Sequence, residues 1–322
     1  MASDGRVTGP GADRTHVPEH PARGGDVPLA VIILTHDEEL NLPNALASVT
    51  GWAADVWVVD SHSTDQTAAV ARAWGAQVVT HPFSGYAAQR TWALRTLPFR
   101  HEWVLFLDAD ESVTPELRDE LRRRLAAPPE DVAGFYVKRR FIFLGRWLRH
   151  GGYYPVWLLR VARHRLARCE ERGVDEHLLV DGRTARLEHD LLHEDRRPLA
   201  RWVERHTRYA ALAAADLVRR APAEAVTPRL RGGDPAERSR WWYERVYRRT
   251  PLGVRALAYF TYRYVLRGGF LDGREGFIYY VLQALWYRVL IDAHVLEARR
   301  AGAPERPAST PAASRVGPSA EP

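Results

Sequence analysis

The sequence predicts an α/β protein built on a doubly wound, mostly parallel sheet, and three observations carry that expectation. Short apolar runs at residues 29–34, 56–59, 77–80 and 103–107 alternate with helix-length segments. Helix-start signals stand between them: Thr114 precedes Pro115 in the N-cap and first-turn arrangement, and Ser63 lies three residues before Gln66, as in a capping box. Residues 35–38, 60–63 and 108–111, each holding at least one carboxylate, directly follow three of the strand runs. Strands joined by helices form right-handed βαβ units, whose sheets bind ligands at the carboxyl ends of their strands. The three clusters are therefore expected on one rim.

Composition sets the bounds. With 322 residues, 46% of them hydrophobic, the chain can bury one large α/β domain and appended helices. The formal charge is +6, but 45 of the 46 basic residues are arginine and Lys138 is the only lysine. The excess follows arginine usage throughout the chain, and no nucleic-acid partner is expected. Cys169 is the only cysteine, which excludes an intrachain disulfide or a CxxC pair and points to a reducing compartment. Residues 1–27, rich in Gly, Pro, Asp and Arg without an apolar core, read as a disordered tail and not as a secretory signal. Residues 300–322 read as a second such tail.

No GxGxxG follows the first strand run and no GxxxxGK[ST] occurs, so glycine does not cradle a phosphate here. The Asp108-Ala109-Asp110 triplet offers another route. Its hard carboxylate oxygens suit Mg²⁺ or Mn²⁺, which reach a nucleotide diphosphate through one or two protein ligands. Such triplets are common on solvated loops, but this one ends an apolar strand run, where a doubly wound sheet places its ligands. Like charges gathered on one rim also call for a positive partner, and a bound cation is the economical one.

Four segments in register resemble glycosyltransferase family 2, the inverting enzymes of the GT-A fold, and among them lipopolysaccharide core β-glucosyltransferases. They are Thr35-His36-Asp37-Glu38-Glu39, Val58-Val59-Asp60-Ser61-His62-Ser63-Thr64-Asp65, Gln89-Arg90 and Leu107-Asp108-Ala109-Asp110-Glu111. The resemblance implies that Thr35, Glu38, Asp60 and Arg90 hold the nucleotide base and ribose. It also implies that Asp108 touches the ribose and that Asp110 binds the diphosphate-bound metal, Mg²⁺ or Mn²⁺. Two positions depart from the family pattern: His36-Asp37 stands for Tyr-Asn, and His62 for a glycine of the turn. Histidine tolerates left-handed backbone better than most residues, so the turn is compatible with it.

In the same family a strand-rich segment ends in V-H-E, and Val174-Asp175-Glu176-His177 occupies that place. Glu176 is the candidate general base, with Asp175 able to exchange roles with it. An inverting displacement needs one carboxylate to take the acceptor hydroxyl proton. His193 resembles the family histidine that completes the metal site, although His189 lies only four residues earlier. Trp157 and Arg160 are candidates to line the acceptor pocket, as an aromatic plate for a sugar ring and a fork for phosphate, although ordinary sheet packing accounts for them equally well.

The expected organisation is a catalytic domain over residues 28–220, divided into a nucleotide-sugar half (28–130) and an acceptor half (131–220). A flexible insertion follows at 221–240, then a helical region at 241–299. Residues 241–300 hold ten arginines against five acids and are crowded with aromatic residues, a composition suited to lipid headgroups. The apolar run at 277–291 is too short to span a bilayer. Helices packed on the catalytic domain would also account for this region. The resulting expectation is a cytoplasmic enzyme, peripheral on the inner face of the membrane. It moves a hexose from a nucleoside diphosphate sugar, expected to be UDP-linked, to a lipopolysaccharide core (lipid A core) or other lipid-linked saccharide. The alternatives are transfer to polyprenyl phosphate and a noncatalytic nucleotide-binding scaffold.

Overall fold

The computed structural model describes residues 25–170, 177–219 and 250–301. Strands β1 (Val27–Thr35), β2 (Ala53–Asp60), β3 (Gln77–Thr80) and β4 (Trp103–Asp108) lie parallel in the order β3-β2-β1-β4. Helices α1 (Leu42–Val49), α2 (Thr67–Ala73) and α3 (Tyr86–Thr96) lie in the connections between them. β1 is an unbroken apolar run because both its faces are covered. Val31 and Ile33 pack in one cluster with Leu42, Leu46 and Leu117, while Ala30 and Ile32 pack in another with Leu94 and Phe106. The strand order reverses between β1 and β4, where Leu34 pairs with Asp108 and Thr35 with Asp60. The three strand ends are thereby level at the crevice where an open α/β sheet binds its ligand.

The sheet continues through β5 (Glu111–Val113), β6 (Val132–Phe143), β8 (Val156–Arg163) and β11 (Arg183–Glu194) in the order β4-β8-β6-β11-β5, with β7 (Arg146–Leu148) beside β6. β9 (Ala167–Cys169) and β10 (Leu178–Val180) pair separately. The class is the expected α/β. The sheet is parallel in its first half, whereas beyond β4 only β6 and β11 pair parallel among the described strands. Helix α4 (Pro115–Ala126) starts as its sequence predicts, with Thr114 Oγ1 accepting the Leu117 N–H at 3.2 Å. The capping box at Ser63 does not form. α2 begins at Thr67, and the Ser63 hydroxyl donates instead to Asp60 (2.5 Å) while accepting the Asp37 N–H (2.9 Å). A buried carboxylate outcompetes a helix end for that hydroxyl.

The remaining α-helices among the described residues are α5 (Leu199–Arg219), α6 (Val254–Thr261), α7 (Gly273–Tyr280) and α8 (Tyr287–Arg300), with π-helical turns after α6 and α7. Tyr279, Tyr280 and Trp202 pack on Phe141 and Tyr153 of the sheet domain, and α5 meets α8 through Tyr209, Ala210, Tyr287 and Ile291. Asp272 ties this layer down. Its carboxylate accepts from the Arg149 N–H (3.0 Å), His150 Nδ1 (2.8 Å) and Tyr280 OH (3.0 Å). Part of the arginine-aromatic composition is therefore internal: Arg263 stacks on Tyr153 at 4.2 Å and Arg255 pairs with Asp292 inside the protein. The expected insertion at 221–240 and the residues 241–249 lie outside the described residues. Among the described residues no helix is long and apolar enough to cross a membrane.

Candidate active site

The first two strand ends are knitted together. Thr35 donates its hydroxyl to Asp60 Oδ1 at 3.1 Å, and Asp60 Oδ2 accepts the Ser63 N–H at 3.0 Å. Asp37 Oδ1 accepts the Thr64 N–H (2.7 Å), and the Glu38 N–H donates to Thr67 Oγ1 (2.7 Å). The turns require left-handed backbone at Asp37 (φ 54°) and His62 (φ 57°). Both residue types tolerate that conformation, so the histidine in place of glycine is accommodated.

The two carboxylates of the triplet have opposite surroundings. Asp108 accepts from Arg90 NH2 (3.1 Å) and Arg160 NH1 (3.2 Å), and Arg160 NH2 also reaches Glu111 Oε1 (2.7 Å). Burial would raise the Asp108 carboxyl, but the Arg160 and Arg90 guanidinium groups hold it well below the usual carboxylate range. Glu111 is fully buried, and burial moves its carboxyl upward against the pull of Arg160. Asp110 takes no guanidinium partner among the described residues; its carboxylate faces His193 Nε2 at 3.5 Å. Burial, then the charges of Asp108 and Asp195, push Asp110 up to about 6. The rim thus supplies guanidinium contacts to Asp108, whereas Asp110 feels the Arg197 and Arg205 charges without contact to either and stays raised.

Asp110 Oδ2 and His193 Nε2 fit a divalent ion. Adjacent ligands about 2.1 Å from one ion stand about 3 Å apart, near the separation observed. The side chains are 18% and 10% exposed, recessed yet open to a ligand. No group of three or more His, Cys, Asp or Glu side chains is placed to hold a metal among the described residues, so Asp110 and His193 would be its two protein ligands.

Glu38 lies in the same recess. Burial raises it to about 7, with Arg197 pulling down and Asp110 pushing up. Its carboxylate accepts from Asn41 Nδ2 (2.8 Å) and Arg197 NH1 (2.9 Å). Asp195 clamps Arg197 (2.8 Å) and Arg205 (3.0 Å). Asn41, Asp195, Arg197 and Arg205 are not among the sequence candidates, and Glu111 stands there only as part of a motif, without a role. Asp195 and Arg197 directly follow β11, which carries His193, and a charged run at a strand end was the available signal.

Arg160 is 6% exposed and bound to Asp108 and Glu111, so it holds the triplet and does not form open pocket wall. Trp157 is half-buried, opposite Lys138 in the sheet. Asp175 and Glu176 lie outside the described residues, between β9 and β10.

Residues 30–176 match the family model described as glycosyl transferase family 2. A Rickettsia bellii protein called an uncharacterized glycosyltransferase is 37% identical over 103 residues, covering 32% of this chain and 34% of its own length. The lipopolysaccharide core biosynthesis glycosyltransferase LpsC of Rhizobium meliloti is 34% identical over 124 residues, covering 37% of this chain and 44% of its own. The match thus spans about a third of the length of the first of these relatives. A mannosyltransferase from Pyrobaculum calidifontis, solved with GDP-Man and Mn²⁺, aligns over 86% of this chain and 89% of its own at 16% identity, with a TM-score of 0.43.

Proposed function

We propose that this chain, whose residues 30–176 match glycosyltransferase family 2, transfers a hexose from a UDP-linked donor to a lipid-linked saccharide with inversion at the anomeric carbon. The observation that carries this reading is the divided triplet: Asp108 is satisfied by Arg90 and Arg160, while Asp110 faces His193 and makes no guanidinium contact among the described residues. Asp110 and His193 would hold Mg²⁺ or Mn²⁺, which when bound neutralises charge on the departing diphosphate. Thr35, Glu38, Asp60 and Arg90 surround the crevice at the strand switch and are assigned to the nucleotide. Trp157 is assigned to the acceptor. Glu176, or Asp175 beside it, takes the acceptor hydroxyl proton as that oxygen bonds to the anomeric carbon. The bond from that carbon to the diphosphate oxygen breaks, and its electron pair leaves with the diphosphate.

A membrane surface as the place of action is supported by the exposed apolar side chains of Leu257, Tyr262, Val265, Leu266, Phe270 and Leu271, bordered by exposed Arg267 and Arg274. The relative named for lipopolysaccharide core biosynthesis supports an envelope glycan as acceptor. The test is a thermal-shift screen of nucleotide sugars with and without Mn²⁺, followed by transfer of labelled sugar to lipid extracts. A metal-dependent shift with a UDP-sugar and an acid-stable lipid-linked product are expected. An acid-labile product would identify polyprenyl phosphate as acceptor, and no transfer with unchanged nucleotide binding would identify a scaffold.

A further inference from the structure

We propose that Lys138 and Arg186, which flank Trp157, and Arg140, which shares Asp190 with Lys138 on the same face of the sheet, bind a negatively charged sugar of the acceptor, one bearing phosphate or carboxylate. The inference rests on the transferase reading and specifies its acceptor class. Strand alternation creates the face. On β6, Val137 and Phe141 enter apolar clusters, while Lys138 and Arg140 turn the other way. Register places Trp157 of β8 and Asp190 of β11 on the two sides of Lys138.

One buried acid organises this surface. Asp190 accepts from Arg140 Nε (2.6 Å) and Tyr154 OH (3.2 Å), and Lys138 Nζ stands 3.4 Å from it. The Arg186 guanidinium lies 4.7 Å, and the Lys138 ammonium 5.6 Å, from the Trp157 ring centroid. Asp190 pairs with two cations and Arg186 adds a third beside Trp157, so positive charge exceeds negative among these groups; Lys138 and Arg140 keep 19% and 34% of their side chains exposed. An indole plate edged by fixed cations matches a pyranose ring with an anionic substituent: the C–H face packs on the aromatic ring and the anion meets the cations. Leu159, two residues beyond Trp157, packs in the cluster of Phe106, whose ring lies beneath the Arg90 guanidinium. The face is therefore on the side of the sheet that carries Arg90, the partner of Asp108.

The lone lysine makes the test specific. Protein grown with ¹³C-labelled lysine has one lysine side chain to observe, that of Lys138. The full chain is titrated with glucose 6-phosphate, glucuronate, glucose and inorganic phosphate, and UDP binding with Mn²⁺ is measured in parallel. Either charged sugar should move the signal saturably, and the better of the two identifies phosphate or carboxylate as the recognised group. Glucose and inorganic phosphate should each bind about tenfold more weakly or worse, and Arg140→Gln should weaken the charged sugar about tenfold. The wild-type titration needs no variant to fold. A signal unmoved by both charged sugars, or moved as readily by glucose or inorganic phosphate, overturns the proposal. Loss of UDP binding with an intact charged-sugar response would instead count against the donor reading and leave this site standing.

Discussion

Arg160 holds Asp108 at the open end of the β4–β8 pair, NH1 lying 3.2 Å from Oδ1, while NH2 reaches Glu111 at 2.7 Å. One guanidinium thus compensates two recessed carboxylates. Arg160→Met should destabilise the protein by about 3–5 kcal/mol, because it leaves buried charge without its partner. Urea unfolding checks this, and Arg160→Lys should recover part of the loss, since an ammonium lacks the fork that serves both acids.

Tyr280 joins the C-terminal helices to the sheet domain through its hydroxyl, which donates to Asp272 and lies 3.0 Å from the His150 carbonyl. Tyr280→Phe should cost about 1–3 kcal/mol by leaving a buried acceptor short of a donor. Urea unfolding measures the loss.

Glu120 of α4 gives a pH dependence. Burial raises its carboxyl, but the Glu188 and His189 N–H groups and the His189 ring outweigh burial and lower it below 4.5. A lowered folded value means stability that is complete above about 4.5 and lost as pH falls through the folded value. Glu120→Gln should lower the melting temperature at pH 7 and reduce the difference between pH 7 and pH 3. An unchanged pH slope would contradict this.

His62 occupies left-handed backbone at φ 57°. His62→Val should destabilise by about 1–2 kcal/mol, whereas His62→Gly should lie near neutral, since relief of the turn is offset by unfolded-chain entropy. Thermal unfolding of the two variants separates them.

Much of the crevice at the strand ends was legible in the sequence, because its parts are local. Asp60 and Asp108 end apolar runs that could only be strands, and Thr114-Pro115 is a helix start decided within four residues. The partners of those acids were not legible. Arg160 lies 52 residues from Asp108, and Arg197 lies 159 residues from Glu38. Among 45 arginines, nothing local separates these from solvated ones. Ser63 was misread for a related reason: its spacing suits a cap, but the buried Asp60 carboxylate claims its hydroxyl.

The central claim is that Asp110 and His193 receive a divalent ion at the diphosphate. It is tested most directly by calorimetric titration of UDP with Mn²⁺ or with EDTA, on the wild type and Asp110→Asn. Wild-type binding should strengthen with Mn²⁺, and the variant should lose about tenfold or more of that gain. Burial and the neighbouring acids keep a proton on Asp110 up to a pH of about 6, so the gain should also shrink below that pH as protons compete with the ion. UDP binding of equal strength with Mn²⁺, with EDTA and in Asp110→Asn would contradict the account.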